Sequence, residues 1–182
     1  MPAGPAGPLA VAYYLDRLLR DVPDYPQPGV TFKDITPLLA DPDGFAAVVD
    51  ALVADRDPGT VDAVVGIEAR GFILAAPVAY RLRAGFVPVR KLGKLPSATL
   101  AQSYSLEYGT ATLEIHADAL RPGARVLIVD DVLATGGTAA ATVSLVHRAG
   151  GQVVGLSVLI ELSFLAGRSQ IPDLPVHALR TV

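Results

Sequence analysis

Residues 126–138 read Val-Leu-Ile-Val-Asp-Asp-Val-Leu-Ala-Thr-Gly-Gly-Thr, an order that a strand, a short loop and a helix accommodate in turn. Val126, Leu127, Ile128 and Val129 form an unbroken apolar run rich in β-branched side chains. That composition suits a parallel strand, expected over 125–129, covered on both faces. Asp130 and Asp131 follow at its carboxyl end, where open α/β sheets place their ligands. Ala134, Thr135, Gly136, Gly137 and Thr138 then offer backbone N–H groups without bulk, and Thr138 opens an apolar helix expected over 139–149. The start of a helix carries unpaired N–H groups and a positive dipole end, together an anion site. Carboxylates beside an anion site make sense when a polyol, a metal ion or both lie between them. A ribose 5-phosphate meets that demand, with hydroxyls to Asp130 and Asp131 and phosphate to the loop. An Asp pair alone is ordinary turn chemistry, and Thr-Gly-Gly-Thr alone an ordinary loop; it is the order of all four parts that points to a ligand. No Lys follows the second Gly, so this is not a P-loop.

The remaining chain alternates in the same style. Leu15, Leu18 and Leu19 recur at helical spacing within a helix expected over 9–20. Pro23, Pro26 and Pro28 then hold an extended loop through Gly29. Pro42-Asp43-Gly44 opens a helix with Phe45, Val48, Val49 and Leu52 facing inward. A strand over 61–67, a helix over 71–83 and a strand over 86–90 follow, with Pro88 marking that last strand as an edge or a bulge. Residues 92–103 hold Gly93, Pro96 and Ser97, show no periodicity and read as a mobile loop. Segments 104–108 and 110–115 form a hairpin about Gly109. A last core strand is expected over 153–160 and a short strand over 176–179. This pattern predicts an α/β fold with a mostly parallel twisted sheet, right-handed crossovers and flanking helices. The stretches before about 61 and after about 163 break the alternation and are expected to cap the sheet's carboxyl edge.

The chain has 182 residues, enough for one such domain and too few for two comfortable ones. Residues 1–182 are therefore read as a single domain, with a disordered Pro/Gly tail over about 1–8. That tail lacks the charged region and apolar run of a signal peptide. Net charge is -3 and no basic stripe is present, which argues against a nucleic-acid partner. Cysteine is absent, so disulfides and thiolate metal sites are excluded. His116, His147 and His177 stand too far apart for ligand spacing. No apolar run reaches the ~18 residues of a membrane span, and Glu161 interrupts the longest candidate. A soluble, cytoplasmic protein without a membrane partner is the expectation.

Four further segments could carry chemistry. In Val65-Gly66-Ile67-Glu68-Ala69-Arg70-Gly71-Phe72 a strand ends, a charged pair is presented and a helix begins. Arg70 is placed to meet an anion, since a cation at a positive helix end is otherwise opposed by ~0.3–1 kcal/mol; Glu68 alternatively pairs with it. Arg90, Lys91 and Lys94 put three cations in five residues, either a solvated patch or a partner for pyrophosphate. Glu107 is either an exposed strand residue or a general acid in a closing site. Phe32, in a proline-bounded segment, either joins a core or stacks on a planar base.

Taken together, the segments 28–37, 66–72, 90–96, 103–109 and 129–138 resemble the adenine-specific branch of the type I phosphoribosyltransferases, in family order and over most of the chain, about 15–165. The Asp-Asp loop is shared across the superfamily, whereas Leu106-Glu107-Tyr108-Gly109 and Lys94-Leu95-Pro96 narrow the likeness to that branch. The resemblance implies the type I phosphoribosyltransferase fold with a small N-terminal hood over about 9–40. It implies transfer of the phosphoribosyl group of phosphoribosyl pyrophosphate to adenine, giving AMP and pyrophosphate, in a homodimer. Mg2+ would be the cofactor, held mainly by substrate and water rather than directly by protein. By the same likeness Ala134, Thr135, Gly136, Gly137 and Thr138 hold the 5-phosphate, and Asp130 and Asp131 the ribose hydroxyls. Arg70, Lys91 and Lys94 attend the pyrophosphate, with Arg90 reaching a neighbouring subunit's site. Phe32 stacks on adenine, the backbone of Thr31 and Lys33 reads its edge, and Leu162 covers its other face. Glu107 matches the proton-transfer residue, with Tyr108 beside it. Lys33 stands where Arg is common, Leu92 replaces a frequent polar residue or Pro, and Ala75-Ala76-Pro77 replaces a Gly-rich helix start. Transfer to xanthine, hypoxanthine or orotate, or a non-catalytic sensor of the same donor, are the other readings.

Overall fold

The computed structural model describes residues 8–105 and 109–182. Of the tail expected over about 1–8, residues 1–7 lie outside them, and Pro8 already belongs to a helix. The chain separates into two units, Met1–Ala51 and Leu52–Val182.

The first unit holds α1 (Pro8–Leu18), β1 (Arg20–Val22), β2 (Phe32–Asp34), α2 (Thr36–Ala40) and most of α3 (Pro42–Leu52). The loop expected through Gly29 is present and runs from Pro23 to Thr31, between two short strands. β1 and β2 pair antiparallel, with Arg20 opposite Asp34 and Val22 opposite Phe32. The three prolines sit in the connection, where no ladder N–H is needed. Strands of three residues are too short to show a period of two. Asp34 joins these pieces: it accepts from the Thr36 N–H at 2.9 Å, the Thr36 hydroxyl at 2.7 Å and Arg20 Nε at 3.0 Å. Those bonds, the Thr36 N–H foremost, hold its pKa down at about 2.

The second unit is built on a seven-stranded sheet. Its strands are β3 (Ala63–Ile67), β4 (Gly85–Lys91), β5 (Thr99–Ser105), β6 (Thr110–His116), β7 (Arg125–Leu133), β8 (Gln152–Glu161) and β9 (Val176–Thr181), in the order β5-β6-β4-β3-β7-β8-β9. The five from β4 to β9 are parallel, whereas β6 pairs antiparallel with both β4 and β5 at one side. α4 (Arg70–Leu82) follows β3 and α5 (Gly137–Arg148) follows β7. Val65, Ile67, Ile128, Leu156 and Val158 share a core with Leu145 and Val146 of α5. Their neighbours Val64, Leu127 and Val129 are equally buried; the strand's period of two turns them to the opposite face, where Gly66 lies under Ala75 of α4. Cover on both faces is why these strands are apolar throughout.

Four expectations are corrected. β7 runs on to Leu133, because β8 pairs with it as far as Leu133 opposite Glu161, while the pairing of β3 with β7 stops at Gly66 opposite Val129. The acid pair therefore sits inside a strand, at the point where pairing with one neighbour ends. The supposed mobile loop over 92–103 is a strand from Thr99 onward, paired with β6 along its whole length; its Thr, Ala, Gln and Ser side chains carry no apolar signal. β4 is an interior strand, yet β6 pairs with it only at Arg90 and Lys91. Pro88 thus has only β3 beside it, a local edge that spares the missing N–H. Finally, the chain after Ser163 is not a cap: beyond two 3-10 turns, Ser163–Leu165 and Gly167–Gln170, β9 joins the sheet beside β8.

Candidate active site

The loop between β7 and α5 is shaped by glycine. Gly136 caps α5 at φ +86 without a side-chain cap bond, so among the described residues no capping side chain competes with a ligand for the first-turn N–H groups. A methyl group on Gly136 would also run into the Gly167 carbonyl, and one on Gly167 into the Ala134 carbonyl. The curl of the loop is therefore backed by a turn thirty residues away in sequence. Below the loop a pocket of about 70 Å³ is lined by Asp130, Val132, Ala134, Thr135, Gly136 and Thr138 over an apolar floor that includes Ile67 and Val158. One water occupies only ~10–15 Å³, so the space suits a larger group.

The two carboxylates face different ways. Asp130 shares the pocket face with Val132, as alternation requires. Asp131 is buried and bound by Arg70 Nε, and its own N–H donates to Asp130 Oδ1 at 2.9 Å. Burial, then the charge of Asp131, pushes the Asp130 pKa well above its usual 3.8; the Asp131 N–H and the Arg70 charge act against that rise. A Cβ on Gly71 would stand 2.7 Å from Asp130 Oδ1 and 3.1 Å from the Val129 carbonyl. Only glycine lets α4 begin so close to the acid pair.

The cations are partnered differently from the expected Glu68–Arg70 pair, which is corrected here. Arg70 turns to Asp131 across 61 residues of sequence. Glu68 instead accepts from Arg90 Nε at 3.1 Å and from the Lys91 N–H at 3.0 Å. The reason is register: Ile67 lies opposite Val89, which brings the next residues of β3 and β4 together. Burial raises the Glu68 pKa, but the Lys91 N–H and Arg90 outweigh it and hold it below the ordinary value. Arg90 Nη1 also donates to the Lys94 carbonyl at 3.0 Å, closing a turn on which Lys91 and Lys94 are exposed. The Glu68–Ala69 peptide is cis.

Thr31, Phe32 and Lys33 lie in the first unit. Phe32 is half-buried, its ring edge-on to Tyr25 with centroids 5.2 Å apart, and Lys33 Nζ is bound to Asp21 at 2.7 Å. Leu162 leaves β8 with its N–H on the Leu133 carbonyl at 2.9 Å, at the end of β7. Glu107 and Tyr108 lie outside the described residues. The structure thus gathers the acid pair, the loop from Ala134 to Thr138 and Arg70 around the end of β7, with the Arg90–Lys94 turn two strands away, beyond β3.

Two residues that build this region, and the partner of a third, escaped the sequence reading. Gly167 backs the loop, and no local pattern marks it. Glu68 is the true partner of Arg90. Tyr104 accepts a hydrogen bond from the Thr138 hydroxyl at 3.1 Å, and its ring lies 3.1 Å from where a Gly137 Cβ would stand; a tyrosine in a strand of small polar residues was the available signal.

A strand-borne acid pair beside an uncapped glycine loop fits the comparisons with known proteins. Residues 38–174 match the phosphoribosyl transferase domain. The chain is 65% identical over 182 residues to the adenine phosphoribosyltransferase of Acidothermus cellulolyticus, covering 100% of both chains. The chain belongs to the adenine phosphoribosyltransferase family. Its fold is that of solved family members. The adenine phosphoribosyltransferase of Rhodothermus marinus superposes with a TM-score of 0.88 at 55% identity, over 94% of this chain and 99% of that one. The Saccharomyces cerevisiae adenine phosphoribosyltransferase, solved with an imino-altritol bisphosphate and adenine, gives 0.86 at 38% identity over 93% and 99%.

Proposed function

We propose that this chain transfers the phosphoribosyl group of phosphoribosyl pyrophosphate to adenine, releasing AMP and pyrophosphate in purine salvage. The observation that carries this reading is the uncapped start of α5 at Gly136, set beside Asp130 on a pocket larger than a water. In this reading the N–H groups and hydroxyls from Ala134 to Thr138 take the 5-phosphate. Asp130 accepts from a ribose hydroxyl, and Asp131 acts from the other face by holding Arg70. Lys91 and Lys94 meet the pyrophosphate, and their charge stabilises it as it departs from the anomeric carbon. Phe32 stacks on adenine and the Thr31 and Lys33 backbone reads its edge; the Lys33 side chain, committed to Asp21, supports recognition by backbone rather than side chain. Glu107, with Tyr108 beside it, handles the proton on adenine.

Among the described residues no three His, Cys, Asp or Glu side chains converge as a metal cage, and Asp131 is already committed to Arg70. The residues present fit a Mg2+ carried by donor phosphates and water. Bound so, the ion would neutralise charge on the leaving pyrophosphate.

A homodimer is part of the proposal. Ile73 and Tyr80, one above the other on α4 at a spacing of seven, and Phe86 on β4 are large apolar side chains exposed by 44%, 84% and 39%, the kind of face a second copy would cover. Among the described residues no helix is long and apolar enough to cross a membrane, and we place the reaction in the cytoplasm, since a polyanionic donor does not pass a bilayer.

The test is a panel of bases with labelled donor. Adenine should give product with release of pyrophosphate, and hypoxanthine, xanthine and orotate should not. Equal turnover of another base would overturn the adenine assignment.

A further inference from the structure

The turn that carries Lys91 and Lys94 is fixed by a second carboxylate that the reaction itself does not require. Glu114, on β6, is only 7% exposed. Its Oε2 accepts the Gly93 N–H at 2.8 Å and its Oε1 the Thr99 hydroxyl at 3.0 Å. One side chain therefore grips the apex of the turn and the first residue of β5, both ends of the connection between β4 and β5. Backbone bonds complete the hold: Leu92 N–H to the Thr112 carbonyl at 3.1 Å and Lys94 N–H to the Lys91 carbonyl at 3.2 Å.

A carboxylate is an odd choice here on electrostatic grounds. It lowers the positive potential that the two lysines offer an anion, and burying it is unfavourable unless its oxygens are bonded. Its use is explained by reach, since both oxygens are occupied by groups of the turn and its flank. We propose that Glu114 is a positioning residue for the pyrophosphate end of the donor. It holds the Arg90–Lys94 turn in its binding shape before the ligand arrives, so that Lys91 and Lys94 need no ordering on binding. This rests on the pyrophosphate role given to those lysines above.

Charge and reach can be separated by two conservative variants. Glu114→Asp keeps the charge and loses the reach. Glu114→Gln loses the charge and keeps the reach: its oxygen can accept the Gly93 N–H while its amide donates to the Thr99 oxygen. Calorimetry with inorganic pyrophosphate is the primary measurement, and ribose 5-phosphate, which addresses the loop before α5, reports whether the rest of the site is intact. Positioning predicts that E114D weakens pyrophosphate binding by roughly threefold to tenfold, as misplacement does, with ribose 5-phosphate affinity unchanged. E114Q should bind pyrophosphate at least as tightly as the parent. E114D binding like the parent, or losing both ligands in proportion, would overturn the proposal. A parent chain that binds ribose 5-phosphate but no pyrophosphate would overturn the assignment of Lys91 and Lys94 instead.

Discussion

Asp130 serves its ligand at the expense of the fold. Its pKa stands well above 3.8 because burial and the charge of Asp131 disfavour ionisation. A raised carboxylate pKa opposes folding once the group ionises: the penalty is absent below the ordinary value and grows as pH rises through the raised one. Asp130→Asn should therefore raise the thermal midpoint at about pH 8, and the gain should shrink toward about pH 4. The same variant should weaken donor binding by roughly tenfold, the loss of one charge-assisted hydrogen bond; calorimetry with the donor checks this, and unchanged affinity would remove Asp130 from the ribose site. Glu107→Gln should lower turnover by ~10²-fold with donor binding intact if that carboxyl moves the proton, measured by steady-state kinetics. Residue identity alone did not reveal who pairs with whom. Arg70 and Glu68 are two apart, yet each is claimed by a residue more than twenty positions away.

At the scale of elements, the end of β8 is tied to the turn after it. Glu161 accepts from Arg168 Nε at 2.6 Å and Nη2 at 2.7 Å. Arg168 thereby holds the Glu161 pKa below its usual 4.5, a contribution to stability that is present above the ordinary value and lost as pH falls through the lowered one. Breaking a buried pair costs ~3–5 kcal/mol, but the Arg168 side chain is 49% exposed, so solvent reduces the figure. Arg168→Ala should cost roughly 1–2 kcal/mol near neutral pH, and the difference should narrow in acid; denaturant titration at several pH values measures it. Because this turn carries Gly167, the variant should also loosen the phosphate loop. A second tie runs between α5 and β5: Thr138 to Tyr104, Ser144 to Gln102 at 3.1 Å and Arg148 to the Ala101 carbonyl at 2.7 Å. These rungs explain how so polar a strand as β5 is placed.

For the whole molecule, the exposed apolar side chains of Ile73, Tyr80 and Phe86 set the expectation. Tyr80→Asp puts a charge at the most exposed of the three and should shift the chain from dimer to monomer in sedimentation velocity, with the isolated fold retained by circular dichroism. If Arg90 reaches a neighbour's site, activity falls with dilution in the variant but not in the parent. A parent that sediments as a monomer throughout would remove the dimer from the proposal.

The sequence by itself determined the strand, acid pair, loop and helix from Val126 to Thr138, because every requirement there is local: an unbroken apolar run, small residues at the turn, N–H groups without caps. It likewise marked Arg70 and the Arg90–Lys94 turn as places where charge gathers. Only the tertiary structure decided that β7 continues through the acid pair, that Asp130 and Asp131 face opposite ways, and that Gly167 and Tyr104 support the loop. It also decided that Glu114 grips the cation turn, that a polar stretch becomes β5, and that β9 completes the sheet. Each of these depends on a partner strand or side chain far away in sequence, and register across a sheet, not local preference, selects that partner.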